Sequence, residues 1–135
     1  MDKALNYLAI ARKAGLAELG EEPVGAVTRA GKGYLGLVAS DASDHTWRRA
    51  KSFVAGTEQQ CVRLPYSKDE MGMAVGRSSL AIAAVTDAAL ALALVKSLPD
   101  GDAAAEEALS RRTEKLNQRK KEARAHQRNL RKGKK

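Results

Sequence analysis

The sequence predicts an α/β fold, a three-layer α/β/α sandwich around a small mixed sheet, with a basic C-terminal tail that is helical or disordered. Three observations predict it. Short apolar runs alternate with stretches of helical period, most helical stretches open on a residue able to cap them, and the alternation stops at Pro99.

Asp2 stands where it can cap a first helix, with Ala4, Leu5, Leu8 and Ala11 on one face and an end at Gly15. Leu16 to Leu19 is a brief strand. Gly20-Glu21-Glu22-Pro23 then opens a second helix, because proline suits the first turn and carboxylates suit the positive end of the helix dipole. Its inward residues are Val24 and Val27, and it stops around Gly31. Tyr34 to Ala39 is a buried strand, followed by Ser40-Asp41-Ala42-Ser43 as a cap in which Asp41 takes the capping role. The next helix, Asp44 to Ala55, buries Trp47, Ala50, Phe53 and Val54. Gln60 to Leu64 is a strand closed by Pro65. Ser67 and Glu70 form a capping-box pattern for a helix ending at Gly76, and Arg77-Ser78-Ser79 is a loop. Leu80 to Val85 is the last strand, and Asp87 caps an apolar helix through Leu98. Residues 1–98 form the domain, 99–102 a linker and 103–135 the tail.

AGKGYLGLVASDAS has the glycines and lysine of a phosphate loop, but they precede the apolar strand instead of following it. No helix start therefore faces Lys32, and a nucleotide site is excluded. His45 and His126 lie far apart, and no Cys/His cluster has metal-ligand spacing. Cys61 reads as a small core residue. Glu21 and Glu22 are neighbours on a helix start and point different ways, which suits the dipole better than acid–base chemistry. The expectation is no enzyme activity, no catalytic residue, no metal and no cofactor. A single cysteine fits a reducing compartment. The most apolar run, Leu80 to Val95, is broken by Thr86-Asp87 and too short to span a membrane, and the N-terminus lacks the form of a signal peptide. A cytoplasmic protein is expected.

The net charge is +8, and its distribution is uneven. Residues 103–135 hold twelve Lys and Arg against four Glu, which leaves the first 102 residues neutral. Such a tail points to a polyanionic partner. Leu109, Leu116, Ala123 and Leu130 recur every seven residues, but the matching positions Thr113, Lys120 and Gln127 are polar, so no coiled coil is expected. Like charges four apart, such as Arg111–Lys115, Lys115–Arg119, Lys120–Arg124 and Arg124–Arg128, each cost an isolated helix about 0.2–0.5 kcal/mol. A tail that is unstructured alone and helical on polyanions is the resulting expectation.

GEEPVGAVTRAGKGYLGLVASDAS, followed by MGMAVGRSSLAIAAVTD, resembles the bacterial YlxQ-type branch of the kink-turn RNA-binding ribosomal proteins, the superfamily of the large-subunit proteins seven-Ae and thirty-e. The resemblance covers about Ala4 to Leu98. It implies a three-layer sandwich without catalytic activity that binds sharply bent RNA through the start of the second helix and the loop before the last strand. Here these are Gly20, Glu21 and Glu22 with Arg77, Ser78 and Ser79, and Arg29 and Lys32 are nearby cations in the sequence. Where such proteins carry Gly-x-Asn-Glu-x-x-Lys, this chain has Glu22, Pro23 and Ala26 at the Asn, Glu and Lys positions. Pro23 and Ala26 supply neither a base-edge hydrogen bond nor a charge. In this reading the tail adds electrostatic affinity through Arg111, Arg112, Lys115, Arg119, Lys120, Lys121, Arg124 and Arg128. The expected partner of this monomer is ribosomal or other structured RNA, with the ribosome as a candidate and no membrane. The alternative is a protein-interaction module on the same fold, in which the tail alone touches nucleic acid.

Overall fold

In a computed structural model, residues 2–132 are described. The elements run α1 (Lys3–Lys13), β1 (Ala17–Leu19), α2 (Glu21–Arg29), β2 (Leu35–Val38), α3 (Asp44–Val54), β3 (Gln60–Arg63), α4 (Lys68–Ala74), β4 (Ile82–Val85), α5 (Ala88–Lys96) and α6 (Ala103–Lys132). The sheet order is β1-β4-β2-β3. β4 is antiparallel to both β1 and β2, and β2 is parallel to β3, so the sheet is mixed as expected. α2 packs on α3 against one face, while α1 packs on α4 and α5. The strands are apolar along their whole length where both faces are covered, and β4 is buried at every residue.

Local chemistry explains most of the element starts. Ser67 accepts from the Glu70 N–H at 3.1 Å while Glu70 accepts from the Ser67 N–H, a complete capping box. Asp87 accepts from the Leu90 N–H at 2.9 Å, and Ser43 from the Thr46 N–H at 3.1 Å. Asp2 makes no side-chain cap, although α1 buries the expected Ala4, Leu5, Leu8 and Ala11. Asp41 is a capping residue for a different helix. Its carboxylate accepts from the Lys68 N–H at 2.8 Å and so ties the loop after β2 to the start of α4. In α3 only Ala50 is fully buried; Trp47, Phe53 and Val54 are half-buried.

The C-terminal segment differs most from its expectation. It is a single helix, and the core does not end at Pro99. Ala105 and Leu109 are buried in the same apolar cluster as the sheet, and α6 packs on α5 and on the edge strand β3. Leu109, read above as half of an unpartnered heptad, finds its partner in the domain. Burying one leucine gives about 1.5–3 kcal/mol. That is enough to offset several like-charge pairs, and packing instead of propensity holds the helix.

Candidate functional site

The loop before β4 and the start of α2 meet at one end of the sheet. Register places Leu19 opposite Ala83 and Val38 opposite Ile82, so β1 and β2 end where β4 begins. Gly20 has φ 97°, a conformation that favours glycine, and its N–H donates to the Ile82 carbonyl at 3.0 Å. That bond joins the α2 start to the strand that follows the 77–81 loop. On the other side the Ala39 N–H donates to the Ala81 carbonyl at 2.9 Å.

The loop is strapped onto α4. Leu80 donates to the Lys68 carbonyl at 2.9 Å and Arg77 to the Gly72 carbonyl at 2.8 Å. A Cβ on Gly72 would lie 2.8 Å from both the Arg77 oxygen and the Ser79 nitrogen, so only glycine lets the loop sit this low. Arg77, Ser78 and Ser79 remain exposed above it.

A helix start leaves N–H groups without intrahelical acceptors. Here the Gly20 N–H is taken by Ile82, Pro23 has none, and the Val24 N–H donates to the Gly20 carbonyl at 3.1 Å. The donors left by the helix are therefore Glu21 and Glu22, both in the first turn. Glu21 pairs with Arg49 of α3, a cation with no signal in the sequence. The pair is exposed and worth at most about 1 kcal/mol. It neutralises one of the two carboxylates that would otherwise repel a phosphate.

Arg29 and Lys32 do not belong to this end. Nine residues of helix carry the chain about 13 Å along the sheet. Arg29 lies at the far end of α2, its guanidinium turned back toward Gly25 and beside Phe53. Lys32 lines a shallow cleft with Glu18, Val27, Gly31, Tyr34 and Thr86, where β2 starts and β4 finishes. Gly31, Gly33 and Gly36 have the spacing of a dinucleotide-binding fingerprint. Gly36, however, lies inside β2, paired with Cys61 and Ala84, and the next helix after these glycines begins only at Asp44. The exclusion of a nucleotide rests on that geometry.

α6 supplies the cations of this second end. The Arg112 guanidinium lies 4.0 Å from the centre of the Tyr34 ring, with the Gly33 carbonyl at 3.5 Å and a Glu58 carboxylate oxygen at 3.7 Å. Its side chain is 18% exposed, so Arg112 docks the helix and is not a free RNA contact. Lys115 and Arg119 sit beside it around a cleft of about 240 Å³ that also meets Gly31 and Glu58. Arg111 lines a neighbouring hollow with Gln60, and Lys120 lines another with Thr86 and Asp87. Lys121, Arg124 and Arg128 are exposed further along α6.

Elsewhere, Trp47 is flanked by Lys51 and Arg63, each 5.4 Å from its ring centre, and Arg63 donates to the Ala42 carbonyl at 3.0 Å. The ring is thus already engaged by cations. Burial pushes the Cys61 thiol up to about 11, which keeps it protonated and unreactive at neutral pH. His45 is exposed on α3. Among the described residues no group of three His, Cys, Asp or Glu is placed to hold a metal, and no helix is long and apolar enough to cross a membrane.

No family model and no curated protein matches the chain. Solved structures do. A protein of unknown function from Bacillus halodurans superposes with a TM-score of 0.67 at 24% identity, over 71% of this chain and 96% of that one. A 15.5 kD RNA-binding protein from Giardia lamblia superposes with a TM-score of 0.59 at 19% identity, over 78% of this chain and 85% of that one. At such identities these are likenesses of fold.

Proposed function

We propose that the chain is a non-enzymatic, cytoplasmic RNA-binding protein, monomeric and associated with ribosomal or other structured RNA, in which the α2 end reads RNA shape and α6 adds electrostatic affinity. The observation that carries this reading is the hydrogen bond from Gly20 to Ile82, which sets two outward N–H groups of a helix start beside the exposed Arg77-Ser78-Ser79 loop. Backbone donors next to a loop of small residues suit splayed or sharply bent nucleotides, whose base edges and phosphates are open to hydrogen bonding. The fold of the Giardia protein, named for RNA binding, supports the same reading. So does the concentration of positive charge on α6.

The fit to a kink-turn is narrower than in the family the sequence resembles. Two N–H donors remain, Pro23 and Ala26 add no polar group, and Glu21 is already paired. Those features support the second reading, a protein-docking module whose α6 alone meets nucleic acid. The test is binding of the full chain to a kink-turn RNA and to an unbent duplex of equal length at one fixed salt concentration. The first reading expects a preference for the kink-turn of about tenfold, or 1.4 kcal/mol. Equal affinity for both RNAs transfers the function to the second.

A further inference from the structure

Between Asn117 and Arg128, α6 gathers four of its five cations on one face. Lys120, Lys121, Arg124 and Arg128 follow at steps of one, three and four residues, which at 100° per residue confines them to an arc of about 100°. The opposite face is mixed, with Arg119, Glu122 and His126. Glu122 is turned away from the basic stripe and accepts from Gln118 Nε2 at 3.3 Å. Every described side chain from Asn117 to Arg128 is exposed.

The inner half fixes where that stripe points. Ala105 and Leu109 are buried, and Arg112 lies over Tyr34, the residue before β2. That is the end of the sheet opposite Gly20, because β2 starts there and finishes beside Ile82. α6 passes Tyr34 and continues away from the α2 end, about 24 Å from Leu116 to Lys132 at helical rise. A helix locked along its first half cannot rotate its second half freely.

We infer that α6 is a fixed arm whose stripe of Lys120, Lys121, Arg124 and Arg128 holds the phosphate backbone of a second RNA segment, so that one RNA is gripped at both ends of the sheet. This rests on the RNA-binding reading and adds to it a partner geometry: a bent element joined to a long duplex stem. A row of cations on one face suits a phosphate backbone. A membrane surface does not fit, since the opposite face has no large apolar side chain to bury. A pre-set facing lowers the ordering cost of the second contact, and linked contacts multiply in affinity.

Helical phasing tests this. Two alanines inserted between Asn117 and Gln118 rotate the stripe by about 200°, whereas four rotate it by about 40° and keep its facing. Neither changes the charge, and both lie beyond the docked half, as an unchanged melting temperature would verify. The probes are a kink-turn RNA with short stems and the same RNA with one long stem. The unaltered protein is expected to bind the long-stemmed RNA about tenfold more tightly than the short one. The two-alanine protein is expected to lose that gain, and the four-alanine protein to keep most of it. If the two insertions behave alike, or the long stem adds nothing, the fixed arm is wrong while RNA binding stands. If the unaltered protein binds neither RNA, the RNA-binding reading falls and the arm with it.

Discussion

The two ends of the sheet are built from opposite materials. At the α2 end the outward groups are backbone N–H donors, two glutamates and a small-residue loop, held by backbone hydrogen bonds to Ile82, Lys68 and Gly72. At the Tyr34 end they are long cationic side chains on α6, held by a buried leucine and by a guanidinium stacked on an aromatic ring. The first end has shape and little charge; the second has charge and few fixed donors. On the proposed reading, recognition by shape and attraction by charge are carried by separate parts that mutations can disconnect.

The largest break is at Leu109, which is fully buried and anchors α6. Leu109→Ala should cost about 2–5 kcal/mol in chemical denaturation. It should also free the arm, seen as faster amide exchange through residues 103–116. A protein whose α6 merely rests on the domain would lose almost nothing. Next comes Gly72→Ala, where the new methyl meets backbone and cannot be accommodated by a side-chain shift. About 1–3 kcal/mol of stability should go, and any preference for bent RNA with it, while affinity for plain duplex holds. A smaller effect, about 1 kcal/mol, is expected for Arg112→Ala from the lost stacking on Tyr34. Arg112→Lys should recover only part of it, because a lysine keeps the charge without the planar fork.

The smallest effect is alkaline. Burial raises the Cys61 thiol from 9.0 to about 11. Between those values the folded chain holds a proton that the unfolded chain releases, so stability should be level below pH 9 and fall as pH rises toward 11. Cys61→Ala should flatten that part of the profile. Burial pushes Tyr66 up to about 12 in the same direction, which leaves some alkaline loss in the variant.

What the sequence revealed and what it hid divide by range. The capping box of Ser67 and Glu70 and the cap of Asp87 are contacts three residues long, and they stand in the structure as the pattern implies. Asp41 was legible as a cap, but its helix is α4, 27 residues away and not the one that follows it. Arg112 reaches Tyr34 and Gly33 from 79 residues along the chain, which no local pattern signals. Leu109 looks unpartnered in the sequence because the elements α6 packs on, α5 and β3, lie outside its own heptad. Arg29 and Lys32 are neighbours of Gly20 in sequence only. One helix of nine residues puts them at the other end. The two regions that make up the proposed shape-reading end were legible only through the family resemblance. Their proximity comes from β1 and β4 pairing across more than sixty residues.

The most direct measurement is the affinity of the full chain for a kink-turn RNA and for an equal duplex across a series of salt concentrations. If shape and charge reside at separate ends, both affinities should fall steeply with salt. Four stripe cations alone contribute a slope of roughly −3 to −4 in log K against log salt. The ratio between the two RNAs should stay near its low-salt value. A ratio that is close to one throughout, or that collapses to one as salt rises, would contradict the separation and leave α6 as the only element that meets RNA.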